Sequence, residues 1–186
     1  MRPRTVALAA LAFVVLLLVV LLAAGSTLPE DHVASAQAVI EAPPAEVYAL
    51  LSDPVGLTDW RPQIDSVDVL EPVDGRLRWR ESSSFGEVTF EQSEAVAEAR
   101  LVISVVEEPD ADFTGSWTYD LEAEGPGSRV TITERGSVTH PFFRLLTRYV
   151  VGYHSAMMAD LDAMGVHFGH VAAPIEVDPT TREPLP

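Results

Sequence analysis

The chain has 186 residues, of which 28 are acidic and 12 basic, and its formal net charge is −16. So acidic a chain is repelled by phosphate backbones, which argues against nucleic-acid binding, and with no cysteine it can form no disulfide and carry no thiol-linked lipid. The length suits one ordinary domain plus an accessory segment.

Residues 2–25 read RPRTVALAALAFVVLLLVVLLAAG. Thr5 to Ala24 carries no charge, and as a helix at about 1.5 Å per residue it spans roughly 30 Å, the thickness of a bilayer core. Arg2 and Arg4 precede this run and the next basic residue is Arg61, so the positive-inside rule places the N-terminus in the cytoplasm and the rest of the chain outside. The sequence therefore predicts a single-pass anchor over residues 1–25 in the cell membrane. The alternative is a signal peptide cleaved near LLAAGS, which would give a secreted protein, although signal apolar regions usually run about 7–15 residues. All 28 acidic residues follow this segment and face ten arginines and no lysine. That charge favours solubility and keeps a domain from lying flat on anionic headgroups.

Residues 26–32, beginning STLPED, read as a polar linker. Ala34–Ala42 alternates as a strand, with Ala36, Ala38 and Ile40 on one face. In PPAEVYALLSD, Pro44 suits the first helical position and Glu46 the first turn, while Val47, Leu50 and Leu51 form an apolar face. Asp53-Pro54 stops that helix, and VGLTDW allows only one further short helical turn. Such a wedge is too small to stand alone and must cap something larger. Six strands follow, at Ile64–Glu71, Arg76–Ser82, Gly86–Ala97, Leu101–Glu107, Phe113–Ala123 and Arg129–Val138. Their short, turn-rich links predict an antiparallel meander. From Pro141 one long helix is predicted, with Leu146, Val150, Tyr153, Met157, Leu161, Met164 and Phe168 as its apolar stripe. The tail, residues 171–186, has four prolines and no periodicity and reads as extended and mobile.

The stretches VIEAPPAEVYALLSDPVGLTDWRPQIDSVDVLE and GSWTYDLEAEGPGSRVTITERGSV, with the closing amphipathic helix, resemble the helix-grip fold of the START-like, or SRPBCC, superfamily, to which polyketide cyclase/dehydrase-like proteins belong. The resemblance covers about Val33 to Phe168, within a domain read as residues 33–170. It implies an α+β fold in which a curved antiparallel sheet of about seven strands grips the long C-terminal helix, here preceded by the transmembrane helix. It also implies a cavity between sheet and helix for a lipid, isoprenoid, polyketide or similar apolar ligand, which some members cyclise or dehydrate.

Alternation assigns the strand faces independently of any resemblance. Arg76, Arg78 and Arg80 share an outer face opposite Glu87 and Glu91. Leu77, Trp79 and Glu81 face inward, as do Val88, Phe90, Gln92 and Glu94, then Trp117 and Tyr119, then Val130, Ile132 and Glu134. The polar members of this face, Glu81, Gln92, Glu94 and Glu134, are read at strand ends and at a wet cavity mouth, because an unpaired buried charge is costly. The cavity candidates are Trp60, Trp79, Phe90, Trp117, Tyr119, Glu134, Tyr153 and Met157. No nucleophile motif and no glycine-rich phosphate loop is present, and His167 with His170 makes too weak a pair for a metal site. The sequence therefore names no catalytic residue, metal or cofactor. It reads as a membrane-anchored, extracytoplasmic binding domain for a small hydrophobic ligand, with no protein partner indicated. A cyclase/dehydratase using cavity acids and a ligand-free adaptor with a filled core remain the other readings.

Overall fold

The computed structural model describes residues 3–84, 86–108 and 111–186. In chain order the elements are α1 (Pro3–Ser26), β1 (Asp31–Ile40), α2 (Pro44–Leu51), α3 (Leu57–Trp60) and a meander of six strands. The meander comprises β2 (Ile64–Val73), β3 (Arg76–Ser83), β4 (Gly86–Val96), β5 (Arg100–Val105), β6 (Phe113–Glu124) and β7 (Gly127–Val138). Then come α4 (Pro141–Leu146), a π-helical turn (Thr147–Val151), α5 (Ser155–His167) and β8 (Ile175–Val177). All strands join one antiparallel sheet in the order β2-β3-β4-β5-β6-β7-β1-β8.

Turn chemistry sets the meander. Asp74 and Gly75 both have positive φ, 53° and 76°, the pair of left-handed residues that a tight hairpin requires. The inner face then buries Ala36, Ala38 and Ile40 of β1, Leu101, Tyr119 and Leu121 of the middle strands, and Val130 and Ile132 of β7. Against it lie Met157, Leu161 and Met164 of α5. The alanines of β1 leave the room in which α5 packs on that strand. Pro44 opens α2 as expected, and Val47, Leu51, Leu57 and Trp60 bury the wedge at one end of the core.

The closing helix differs from the single long helix predicted. Gly152, with φ 84° and ψ 145°, takes up a backbone conformation that side chains other than glycine's disfavour, and it separates the π-helical turn from α5. Of the expected stripe, Met157, Leu161 and Met164 of α5 enter the core, with Tyr153 and Phe168 packed against it on either side. Val150 is 74% exposed and points away from it.

The tail is extended as expected but not free. β8 pairs with β1, Val177 is fully buried, and Arg182 reaches Asp120 and Glu122 of β6 at 2.7 and 2.8 Å. This covers the outer face of β1 and β7, where Ser35, Gln37 and Thr131 are buried, and it brings the sheet to eight strands rather than about seven.

The transmembrane helix expected over residues 1–25 gains no support. Among the described residues no helix is long and apolar enough to cross a membrane. α1 is helical, its side chains from Leu11 to Val20 are exposed, and its C-terminal end is committed to protein contact. There Gly25 lies so close to Pro141 that a Cβ would come within 2.0 Å of the proline carbonyl oxygen. Nor is the segment after α1 a loose linker. The buried Arg144 of α4 donates to Leu28 O at 3.2 Å, to Val138 O at 2.8 Å and to the Glu30 carboxylate.

Candidate functional site

The chain turns sharply where α3 ends. Trp60 is buried, and Arg61 leaves the helix in an extended conformation that sends its guanidinium inward. Asp160 of α5 meets it in a two-pronged pair, Arg61 Nε to Oδ1 at 3.0 Å and Nη2 to Oδ2 at 2.9 Å. Gln63 Nε2 donates to the same Oδ1 at 2.9 Å. From β3, Glu81 places Oε2 3.6 Å from Arg61 Nη1 and accepts from the Trp79 indole at 2.8 Å. Trp79 and Glu81 can meet in this way because residues two apart on a strand share a face. A second carboxylate, Glu134 of β7, accepts from the Trp117 indole at 3.0 Å and pairs with His32 Nε2 at 2.9 Å. His32 stacks on Tyr153 with ring centroids 4.2 Å apart. It fits only because residue 136 is glycine, since a Cβ there would lie 2.5 Å from the imidazole.

Between the first cluster and the aromatic wall lies a cavity of about 90 Å³. Arg61, Glu81 and Asp160 form its polar side, Phe90, Ile103, Trp117 and Tyr119 its wall, and Ala156 of α5 its exposed rim. Trp79, Phe90 and Trp117 run in sequence along the sheet at centroid spacings of 5.9 Å. The Tyr119 hydroxyl has no hydrogen-bond partner among the described residues, although the side chain is buried.

Burial dominates the electrostatics. It pushes the Tyr119 phenol up, and the Asp160 charge adds to that. It also pushes the Glu81 carboxyl above its ordinary value, with Arg61 and the Trp79 indole opposing in part. For Arg61 burial acts downward, but the charge of Asp160, followed by Tyr119 and Glu81, outweighs it and the guanidinium stays firmly protonated.

The sheet-and-helix frame agrees with the comparisons. Residues 31–164 match the family described as polyketide cyclase/dehydrase and lipid transport. The chain belongs to this family. Its START-like superfamily is reflected in solved structures of the same fold. TTHA0849 from Thermus thermophilus is 26% identical, with a TM-score of 0.60 over 74% of this chain and 97% of that one. The Zhui aromatase/cyclase from a Streptomyces species is 17% identical, with a TM-score of 0.59 over 74% and 93%. The di-domain ARO/CYC BexL is 16% identical, with a TM-score of 0.61 over 78% of this chain and 52% of that one, so the likeness spans about half of its length. No curated protein matches the chain.

Within this cyclase/dehydrase-family domain the eight candidate residues fall into three groups. Phe90, Trp117 and Tyr119 line the cavity. Trp79 and Glu134 stand behind it, the one holding Glu81 and stacking on Phe90, the other holding Trp117. The remaining three lie apart from it. Met157 is buried in the core, Tyr153 sits on His32, and Trp60 faces a separate groove of about 330 Å³ with Pro62, Ala163, Val166 and His167. Of the polar inner-face residues, Glu81 and Glu134 are interior. A bulge between Gln92 and Glu94 turns Glu94 outward to Arg100 at 3.4 Å. The arginine ladder is on the outside, with Arg76 and Arg78 both 2.7 Å from Glu91. His170 accepts the Glu41 backbone N–H at 3.0 Å, a structural use of that imidazole.

The sequence reading missed Arg61, Asp160 and His32. A signal existed for the first, the lone arginine between the N-terminal pair and Arg76. Asp160 carried another, as an acid three residues after a core methionine and next to a core leucine.

Proposed function

We propose that the domain binds a small hydrophobic molecule bearing one hydroxyl or carbonyl group, and that residues 5–24 hold it at a membrane with the domain on the extracytoplasmic side. The observation that carries the ligand reading is the Tyr119 hydroxyl, which lacks a partner beside an aromatic wall and an acid held by an indole. A polar group on the ligand would supply the missing hydrogen bond, and the ring of Trp117 would stack on the apolar remainder. The cavity of about 90 Å³ is smaller than the roughly 150 Å³ that accommodates benzene, so a bound ring requires α5 to shift at Ala156, four residues past the break at Gly152. The membrane reading is supported by the uncharged run of the sequence and by the exposed apolar side chains of α1.

Calorimetric titration of 2-naphthol into the full chain in lipid nanodiscs tests the binding. Saturable heat is expected, weakened about fivefold by Tyr119→Phe through the loss of one hydrogen bond, and abolished by Ala156→Trp, which plugs the exposed rim. Identical titrations for the parent chain and Ala156→Trp would reject the reading and favour a filled adaptor domain.

One observation favours an enzymatic second reading. Burial raises the Glu81 carboxyl from its ordinary value while the group borders the cavity, the direction that suits a proton donor to a ligand oxygen. Glu81→Gln should then abolish turnover while leaving 2-naphthol binding intact.

A further inference from the structure

The longest stretch without an acidic residue after α1 is residues 135–159, RGSVTHPFFRLLTRYVVGYHSAMMA, in a chain with 28 acids. Within it the fold leaves a run of large side chains uncovered. Phe142 and Phe143 are 39% and 41% exposed, and Tyr149, Val150 and Val151 are 69%, 74% and 53% exposed. They occupy α4 and the π-helical turn, the part of the closing segment that the core does not use. Exposed apolar groups clustered in this way mark a contact surface rather than the scattered apolar exposure of any protein.

Two features place this surface relative to α1. The C-terminal end of α1 packs on the start of α4 at Gly25 and Pro141. Arg144 then clasps the chain that leaves α1, through Leu28 O and Glu30. α4 therefore begins where α1 ends, in a fixed relation to it. Phenylalanine, tyrosine and arginine at such a point are the residue types that settle at a membrane–water boundary, with aromatic rings at headgroup depth and guanidinium groups on phosphate. Arg148 lies over the Tyr149 ring at 5.9 Å, so the cation and the ring face the same environment.

From these observations we infer that α4 and the π-helical turn lie in the headgroup region of the bilayer that α1 enters, with Phe142, Phe143, Tyr149, Val150 and Val151 as the immersed side chains. The occupant of this surface is a lipid bilayer, because the segment is free of acids while the rest of the domain carries them at close intervals. The inference rests on the membrane-anchor reading and adds to it a second, interfacial attachment.

The chain has no native cysteine, so single cysteines at three exposed positions report depth in the full chain. Leu16→Cys samples α1, Val150→Cys the proposed interfacial surface, and Asp74→Cys the β2–β3 turn at the far edge of the sheet. Each carries an environment-sensitive fluorophore in phosphatidylcholine vesicles containing either shallow or deep spin-labelled lipid. The expected result is loss of emission at Leu16→Cys with the deep quencher, loss at Val150→Cys with the shallow one together with a blue shift, and neither at Asp74→Cys. Quenching at Leu16→Cys without quenching at Val150→Cys would overturn the inference and leave the anchor standing. No quenching at either site would overturn both. Disulfide-linked dimers of unlabelled Val150→Cys, with no lipid quenching, would assign the surface to a second copy of the chain and overturn the inference.

Discussion

Asp160 sits in the core and holds three partners together: both prongs of Arg61 and the Gln63 amide. Replacing it by asparagine keeps one acceptor oxygen but removes the charge, so the guanidinium is left with only the more distant Glu81 as an anionic partner. Breaking a buried pair by removing one partner typically costs about 3–5 kcal/mol, so Asp160→Asn should lower the unfolding free energy by that order in a denaturant titration. Glu81 is the opposite case. Its pKa in the folded protein is raised above the ordinary 4.5, so the folded state binds the proton more tightly than the unfolded one. Its ionisation therefore takes stability away as pH rises through the folded value, and the loss is recovered as pH falls back toward the unfolded one. Glu81→Gln should accordingly be more stable than the parent at neutral pH, with the gain shrinking as pH falls toward 4.5. Denaturant midpoints across that range check it, and a gain that does not change with pH would contradict it. At this scale the sequence was partly legible. Face alternation brought Phe90, Trp117 and Tyr119 to one wall. It could not give the Arg61–Asp160 pair, whose members are 99 positions apart and meet only after the meander has closed.

The strands were the most legible elements, because period-two alternation and short turn-rich links such as Asp74-Gly75 mark them together. The two departures have local causes. The bulge between Gln92 and Glu94 shifts the alternation by one and sends Glu94 out, and a bulge leaves no trace in a hydrophobic pattern. The closing helix read as continuous because its apolar spacing runs on arithmetically past Gly152, and one glycine inside a helical pattern is usually tolerated. In the fold that glycine has φ 84° and ψ 145°, a region essentially reserved for glycine. Gly152→Ala should therefore destabilise by about 1–3 kcal/mol in thermal or denaturant unfolding. Ala49→Gly, on the exposed side of α2, serves as the control for an ordinary helix position and should cost about 1 kcal/mol.

Across the whole molecule the tail and the start of the chain matter more than their compositions suggest. Four prolines made residues 171–186 read as mobile, yet β8 needs only three residues, and the side chains it buries belong partly to β1 and β7, far away in sequence. A chain ending at His170 would expose the face over Ser35, Gln37 and Thr131 and lose the fully buried Val177. That one side chain is worth about 1.5–3 kcal/mol, so the truncated chain should unfold at correspondingly lower denaturant. A midpoint equal to that of the full chain would show that the tail only rests on the sheet. The clasp of Arg144 on Leu28 and Glu30 was not legible, because a single arginine in an apolar helix signals nothing about which distant carbonyls it will meet.

The break at Gly152 also has a consequence in time. A closing helix in one piece would open and close as one cooperative unit, whereas two pieces joined by a glycine can open separately. α5 is tied to the core through Met157, Leu161 and Met164, so its amides should exchange with solvent deuterium only when the whole domain unfolds. The π-helical turn has no buried side chain, and its amides should exchange through small local openings, orders of magnitude sooner. Ser155–His167 would then record the global stability of the domain, while Thr147–Val151 would record how often the rim beside it loosens, two clocks on one stretch of chain.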